Sequence, residues 1–374
     1  MRICHVTSAH NTKDVRILKK ECVSLAQNND YKVFLVGKGD TFEYENVHVI
    51  GLGDPPRGRL KRMTGFAARI VDAALKLDAD MYHLHDPELL RFALKIKQQG
   101  KKVIFDSHEN VLDSIDDKTY WPVVIRKIFK NYYKWLQCRV LPKINGIIVV
   151  SPQMVTSYSK YNKNVTLVTN YPIIKGRDNW DTNEYIKKGR FIFAGGISEQ
   201  WSHREFINAI EHIDGVEYYL FGPADELYLN ELKQLNGWKK VHYGGIVPFE
   251  TVQEELEGAQ FAVALLKPSK NTFYEEGTMG NTKLFEAMEK GKPVLATDFK
   301  LWKPIIEGHN CGVCINPNNQ EAIKNAVIGC MDLDNSQYIG MQKECRDAVC
   351  NCYNWDNAEK QLLLFYKKIM ELNS

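Results

Sequence analysis

The chain has 374 residues, 44% hydrophobic and 25% charged, with a net charge of +3, a balance that belongs to folded globular proteins and excludes a disordered one. That length is too great for one ordinary core and suits two domains of roughly 150 residues each. The charge is uneven: 29 basic against 17 acidic residues over 1–177 (+12), then 20 against 29 over 178–374 (−9), so the first half presents a field that attracts anionic partners. No apolar run approaches the ~20 residues that span a bilayer. The start MRICHVTSAH turns polar too soon for a secretory signal, so a cytoplasmic protein is expected.

In chain order, the short β-rich runs RICHV, KVFLVG, MYHLH, KVIFDS and GIIVVS alternate with helical patterns. In one of these, Asp14 to Ala26, the residues Val15, Leu18, Cys22 and Leu25 share a face. From Trp121 to Arg139 a broad apolar arc (Trp121, Val124, Ile125, Ile128, Phe129, Tyr132, Trp135, Leu136) opposes a basic one (Arg126, Lys127, Lys130, Lys134). Packing against a sheet is the ordinary use of such an arc. With Arg57, Arg59, Lys61 and Arg62, the basic arc also suits an anionic membrane surface. After the polar stretch KGRDNWDTNEYIKKGR the alternation restarts with FIFAGG, EYYLFG, FAVALL and PVLATD. Strand and helix alternating twice predict two parallel, doubly wound sheets, joined near residues 172–189, with a cleft between them.

Ligands of open α/β sheets bind beyond the carboxyl ends of the strands. Those positions hold His10, Asp14 and Arg16, then His85 and Asp86, then His108 and Glu109, then Ser151. Any one of them could simply cap a helix; together they outline a site. In the second half the corresponding turn is Gly195-Gly196, where glycine lets a backbone approach a phosphate closely. Neither first strand runs into G-x-G-x-x-G, which counts against a dinucleotide dehydrogenase. In GTMGNTKLFEAMEKGKPVLATD, Asn281 stands where it can accept a hydrogen bond from a helix's first turn, and Lys283 falls in that turn, the wrong end of the helix dipole for a cation. Lys283 and Glu286 lie together opposite Leu284, Phe285 and Met288. They form either a surface ion pair or a diphosphate-and-ribose clamp, in which the carboxylate takes both hydroxyls of the diol. Nine cysteines, including the pair Cys311 and Cys314 without a second pair at ligand spacing, read as reduced thiols, and no metal is assigned. No nucleic-acid recognition motif is present, so no nucleic-acid partner is expected.

The ordered landmarks HNTKDVRILKKECVSLA, DMYHLHDPELL, KKVIFDSHEN, GIIVVSPQM, VTNYP, FAGGIS, GNTKLFEAMEKGKPVLATD and YNWDNAEKQLLLFYKKI cover nearly the whole chain. They resemble the retaining glycosyltransferases of family 4, of the bacterial surface-polysaccharide type. The resemblance implies a GT-B fold: two Rossmann-like domains, an acceptor-side domain over 1–175 and a donor-nucleotide domain over 176–352, with a C-terminal helix over 353–374 packing back on the first. It implies metal-independent transfer, with retention, from a UDP- or GDP-linked sugar to a saccharide or lipid-linked acceptor, without cofactor, at the inner face of the cell membrane. Glu286 then holds the donor ribose, Lys283 and the Gly195–Gly196 turn meet the diphosphate, and Val247 meets the nucleobase. His108 faces the transferred sugar, and the acceptor side takes His10, Asp14, Arg16, His85 and Glu109. Two features depart from the family pattern. Thr278 stands where the first motif glutamate belongs, and Gly196 and Trp201 occupy the places of a basic pair, for which Arg204 is the candidate substitute. A non-catalytic GT-B partner subunit is the alternative these departures suggest.

Overall fold

Runs of Val, Ile, Leu and Phe with few polar interruptions make strands buried on both faces, and such strands form the centre of the eight-stranded sheet on which the first unit is built. The eight strands are β1 (Arg2–Asn11), β2 (Lys32–Lys38), β3 (Phe42–Tyr44), β4 (Val47–Gly51), β5 (Met81–Leu84), β6 (Lys102–Ser107), β7 (Gly146–Val149) and β8 (Val165–Leu167). Their order is β3-β4-β2-β1-β5-β6-β7-β8, parallel except for the β3–β4 edge hairpin. The structure, a computed structural model, describes residues 1–58, 61–116, 122–174, 176, 182 and 187–371. Arg59, Trp121 and much of the predicted joining segment lie outside the described residues.

The chain divides into two units, Met1–Asn170 with the final helix Trp355–Glu371, and Tyr171–Asn354. In the first, β1 lies between β2 and β5, so the winding reverses there. Val6 pairs with Leu84 and Leu84 with Phe105. The three strands therefore end level, and Ser8–His10, His85–Asp86 and Ser107–His108 emerge at one edge. The final helix is held by the Trp355 indole donating to Ser24 Oγ at 2.9 Å and by Lys102 Nζ capping the carbonyls of Ile369 (2.9 Å) and Met370 (2.7 Å). Gly146 is needed beneath this helix, because a Cβ there would lie 2.5 Å from the Phe365 ring.

The second unit carries β9 (Arg190–Ala194), β10 (Glu217–Phe221), β11 (Val241–Gly245), β12 (Phe261–Ala264), β13 (Val294–Thr297) and β14 (Gly312–Ile315), in the order β11-β10-β9-β12-β13-β14, all parallel. Alternate residues of β9 feed two cores: Phe191 and Phe193 pack with Phe206, Tyr218 and Phe261, while Ile192 packs with Phe285, Met288 and Trp302 on the other face. Here too the reversal falls beside the first strand of the sheet, β9.

Two expectations are corrected. After Asp14, whose side chain caps the N–H of Ile17 at 3.0 Å, the chain winds first as a π-helical segment, Val15–Cys22, before becoming α-helical over Val23–Ala26. The wider winding rotates Val15 outward, to 52% exposure, while Leu18, Cys22 and Leu25 stay buried. The helix Val123–Val140 buries Tyr133, Leu136, Gln137 and Val140, so Leu136 is the one member of the predicted arc that is buried among the described residues. Val124 (67%), Ile128 (62%), Tyr132 (47%) and Trp135 (54%) are exposed, and Arg126 and Lys130 instead turn to Asp116, with Arg126 donating to its carbonyl at 2.8 Å and Lys130 to its carboxylate at 2.5 Å. The two cations are thus held on one acidic residue, and Val124, Ile125, Ile128, Tyr132 and Trp135 of the apolar arc face outward.

Candidate functional site

β9 ends at a glycine turn. Gly195 has φ +152°, and its N–H donates to the carbonyl of Phe221 at 2.8 Å. A Cβ on Gly195 would lie 2.2 Å from Lys283 Cε and 2.3 Å from its Nζ, so only glycine lets the lysine fold over the strand end. The ammonium sits 5.6 Å from the ring centre of Phe193 and 5.9 Å from that of Trp201. Burial lowers the Lys283 pKa, opposed by Glu286. Among the described residues no carboxylate pairs with it. Asn281 Oδ1 accepts the Lys283 N–H at 3.1 Å, although the helix proper runs only over Lys283–Glu289, with Thr282 before it. One turn on, Glu286 is exposed, and with Lys283, Ala194 and Phe249 it lines a small cavity of about 50 Å³.

Val247 is half-buried against the core, between exposed Ile246 and Phe249. Arg204 does not join this group; its guanidinium pairs with Glu231. Thr278 Oγ1 accepts the N–H of Gly280 at 3.1 Å, and upstream Glu276 pairs with Lys300. Phe273 and Tyr274 both take φ +54°, a left-handed backbone uncommon for side-chain-bearing residues, in the loop that leads to Thr278. Sequence reasoning missed the aromatic floor under Lys283. Phe193 was legible as a strand residue facing its core, but nothing local marked Trp201 as a neighbour of residue 283.

In the first unit a pocket of about 590 Å³ opens at the strand edge. Its polar wall carries His10, His85, Asp86, Asp106, His108 and Glu109, and its apolar wall Phe129, Tyr132, Tyr133 and Leu136. Asp106, fully buried, organises the polar wall. Its Oδ2 lies 2.9 Å from His108 Nε2 and 3.4 Å from His85 Nδ1. Arg16 clamps it from behind, donating from Nε (3.3 Å) and Nη2 (3.1 Å), and spends Nη1 on the Val168 carbonyl at 3.1 Å. Burial alone would raise the Asp106 pKa; Arg16 and His108 hold it well below the ordinary range. Arg16 and Asp14 are therefore not among the pocket's lining residues: Arg16 is a buried support, and Asp14 reaches the pocket only through His10, 3.3 Å away. Against burial, which lowers it, Asp14 and Asp86 raise the His10 pKa. Asp86 accepts the N–H of Ser8 (2.6 Å) and of Ala9 (3.1 Å), fixing the chain that carries His10.

The two units match two family models. Residues 20–170 match the description "Glycosyltransferase Family 4", and residues 188–332 match "Glycosyl transferases group 1". Among solved structures, sucrose-phosphate synthase from Thermosynechococcus elongatus superposes with a TM-score of 0.74 at 16% identity, over 99% of each chain. HepE of Anabaena, solved with UDP and glucose, gives 0.68 at 14% identity over 98% of this chain and 100% of its own. WaaG, a glycosyltransferase involved in lipopolysaccharide biosynthesis, gives 0.67 at 12% over 97% and 99%. No curated protein matches the sequence. At these identities the likeness shows the fold, which is GT-B. The two matched stretches and that fold together support a GT-B glycosyltransferase.

Proposed function

We propose that the chain transfers a sugar, with retention, from a UDP- or GDP-linked donor to a saccharide or lipid-linked acceptor. The observation that carries this reading is the Lys283 ammonium folded over the Gly195 turn with no carboxylate partner, and the exposed carboxylate of Glu286 one helical turn away. A cation held over a glycine turn at a sheet's switch point suits a diphosphate, and a free carboxylate beside it suits a ribose diol. Val247, flanked by Ile246 and Phe249, offers backbone and apolar surface to a base. In HepE the ligands are UDP and glucose, which favours a uridine donor for this chain. The leaving phosphate oxygen takes the proton of the attacking hydroxyl, so the protein's part is positioning and charge stabilisation, with no metal at the diphosphate.

The pocket of the first unit takes the acceptor. His108, oriented by Asp106, is the group offered to the transferred sugar, and His10, His85 and Glu109 are offered to acceptor hydroxyls, with Asp14 and Arg16 behind them. Tyr132 belongs both to this pocket and to the exposed apolar face of the helix Val123–Val140. That face, with Lys127, Lys134 and Arg139 beside it, favours peripheral contact with an anionic membrane and a lipid-linked acceptor whose apolar part enters along Phe129 and Tyr132. No described helix is long and apolar enough to cross a membrane. A second reading, a GT-B subunit that binds nucleotide without turnover, is favoured by Arg204, which is engaged by Glu231 where a phosphate-binding base was expected. Incubation with labelled UDP- and GDP-sugars separates the two: slow donor hydrolysis supports the enzyme, whereas tight nucleotide binding without hydrolysis or transfer supports the subunit.

A further inference from the structure

Behind the polar wall of the pocket lies a second group of side chains that shares only His85 with that wall. His5 on β1, His83 on β5, His85 just past the end of β5, and Glu21 from the segment after β1 are each 0–1% exposed. The three imidazoles pack together with ring centres 4.4 Å (His83–His85), 4.6 Å (His5–His83) and 5.2 Å (His5–His85) apart. Hydrogen bonding leaves the cluster incomplete. Neither oxygen of Glu21 has a hydrogen-bond partner, although Arg16 Nε stands 3.0 Å from Oε1, and His83 Nε2 has none either. Arg16 supplies charge to one side of Glu21, while Oε2 and His83 Nε2 stay buried without a hydrogen-bond partner, which leaves room in the cluster for an occupant.

The distances say what kind. Glu21 Oε2 lies 4.0 Å from His85 Nε2, and His85 Nε2 lies 2.9 Å from His5 Nδ1; Tyr366 engages His83 Nδ1, which leaves the unpartnered Nε2 of His83 as its donor. The longer separation exceeds a hydrogen bond but is within reach of two ligands of one ion, each about 2.0–2.2 Å from it. One ligand atom from each of the four residues falls within 4.8 Å of all the others. Outer partners are also in place: the Tyr366 hydroxyl is 2.7 Å from His83 Nδ1 and 3.3 Å from His5 Nε2, and Asp106 is 3.4 Å from His85 Nδ1.

We propose that His5, Glu21, His83 and His85 form a closed structural site for a divalent transition metal of the zinc type. Three imidazoles and one carboxylate are a borderline donor set suited to Zn²⁺, and four protein ligands leave no open position, so the ion is structural. It ties β1, the segment after it and β5 together and, through Tyr366, the final helix. It also fixes His85, whose other nitrogen faces Asp106 and His108, and so steadies the acceptor wall from behind.

The test uses the full chain and the metals themselves. Protein expressed with added zinc and dialysed against metal-free buffer is assayed by mass spectrometry, then stripped and titrated with Co²⁺. The proposal expects about one zinc per chain, a visible cobalt spectrum of four-coordinate type, and a melting temperature that falls on stripping and recovers with zinc. Glu21→Gln and His83→Gln should weaken cobalt binding at least tenfold, while His242→Gln, an exposed residue of the other unit, should leave it unchanged. Wild-type protein that retains less than a tenth of an equivalent and gives no cobalt spectrum overturns the proposal, whether or not the variants fold. So does stoichiometric metal that is lost in His108→Ala but kept in His83→Gln, since the ion would then occupy the open pocket.

Discussion

Replacing Lys283 with Met removes the ammonium that lies over the Gly195 turn while keeping most of the stem that packs on Phe193 and Trp201. A charge-assisted hydrogen bond is worth about 1.5–3 kcal/mol, and at about 1.4 kcal/mol per tenfold the variant should bind UDP or GDP roughly 10–100-fold more weakly. The free nucleosides, which lack the diphosphate, should lose less than about threefold on the same reasoning. In the unliganded protein the substitution should be neutral or stabilising, because burial holds the lysine's pKa below its ordinary 10.5 and the opposing charge of Glu286 only partly offsets that cost. The sign follows from proton linkage. Between the lowered folded pKa and 10.5 the unfolded chain binds the extra proton, so the stability of the free wild-type protein rises with pH in that window. Diphosphate affinity moves the other way, falling as pH rises and the ammonium is lost, and the Met variant should show neither trend. Calorimetric titration of both proteins with diphosphate and nucleoside across this pH range reads all of it. Equal losses for nucleoside and diphosphate would refute the assignment of Lys283 to the diphosphate.

Glu286→Ala should leave the thermal melt cooperative and near wild type, since the residue is exposed, while weakening nucleotide binding by about 1.5–3 kcal/mol for each lost charged hydrogen bond; loss of the cooperative melt would make it structural. Gly195→Ala forces a side chain onto a φ of +152° and into Lys283, so it should impair diphosphate binding at least as much as Lys283→Met, measured in the same titration. Lys292, 1% exposed and donating to the Glu257 carbonyl at 2.6 Å, has its pKa lowered by burial to about 8. The drop from 10.5 corresponds to roughly 3 kcal/mol, so wild-type stability should gain up to that amount on Lys292→Met as pH rises from 8 to 10.5, read by urea denaturation at each pH. On the helix Val123–Val140, Ile128→Glu with Trp135→Glu should abolish binding to anionic vesicles and spare donor hydrolysis, while equal binding to neutral vesicles by the wild type would show that the basic residues play no part.

The buried strands were legible because each is a short apolar run ending in a turn residue; β1, β5, β6, β9 and β13 all stand out this way. Edge strands were not. β3 and β4 are joined by Glu45 and Asn46, both at positive φ, and β11 is half-exposed, so none of the three carries the continuous apolar signal of a buried strand. Lys283, Glu286 and Gly195 were legible because a lysine in a helix's first turn and paired glycines after a strand are locally costly choices that ask for a reason. The role of Arg16 was not, because its position after β1 suggested the site edge, whereas the π-helical winding turns it inward onto Asp106. The orientation of the helix Val123–Val140 was misread for a related cause: periodicity finds the arc, but which side faces in depends on partners outside the helix, such as Asp116, which holds Arg126 and Lys130. His5, Glu21, His83 and His85 escaped a search for metal spacing because their ligand atoms converge from two neighbouring strands and the segment after the first.

Donor turnover tests the central claim most directly. The wild-type chain and Glu286→Ala are incubated with UDP- and GDP-linked hexoses, without acceptor and with excess chelator, and released sugar and nucleoside diphosphate are followed. The account predicts slow release of sugar with retained anomeric configuration from one donor by the wild type, unaffected by the chelator and reduced at least tenfold in the variant. Release at the same rate by both proteins, or release with inverted configuration, would contradict it.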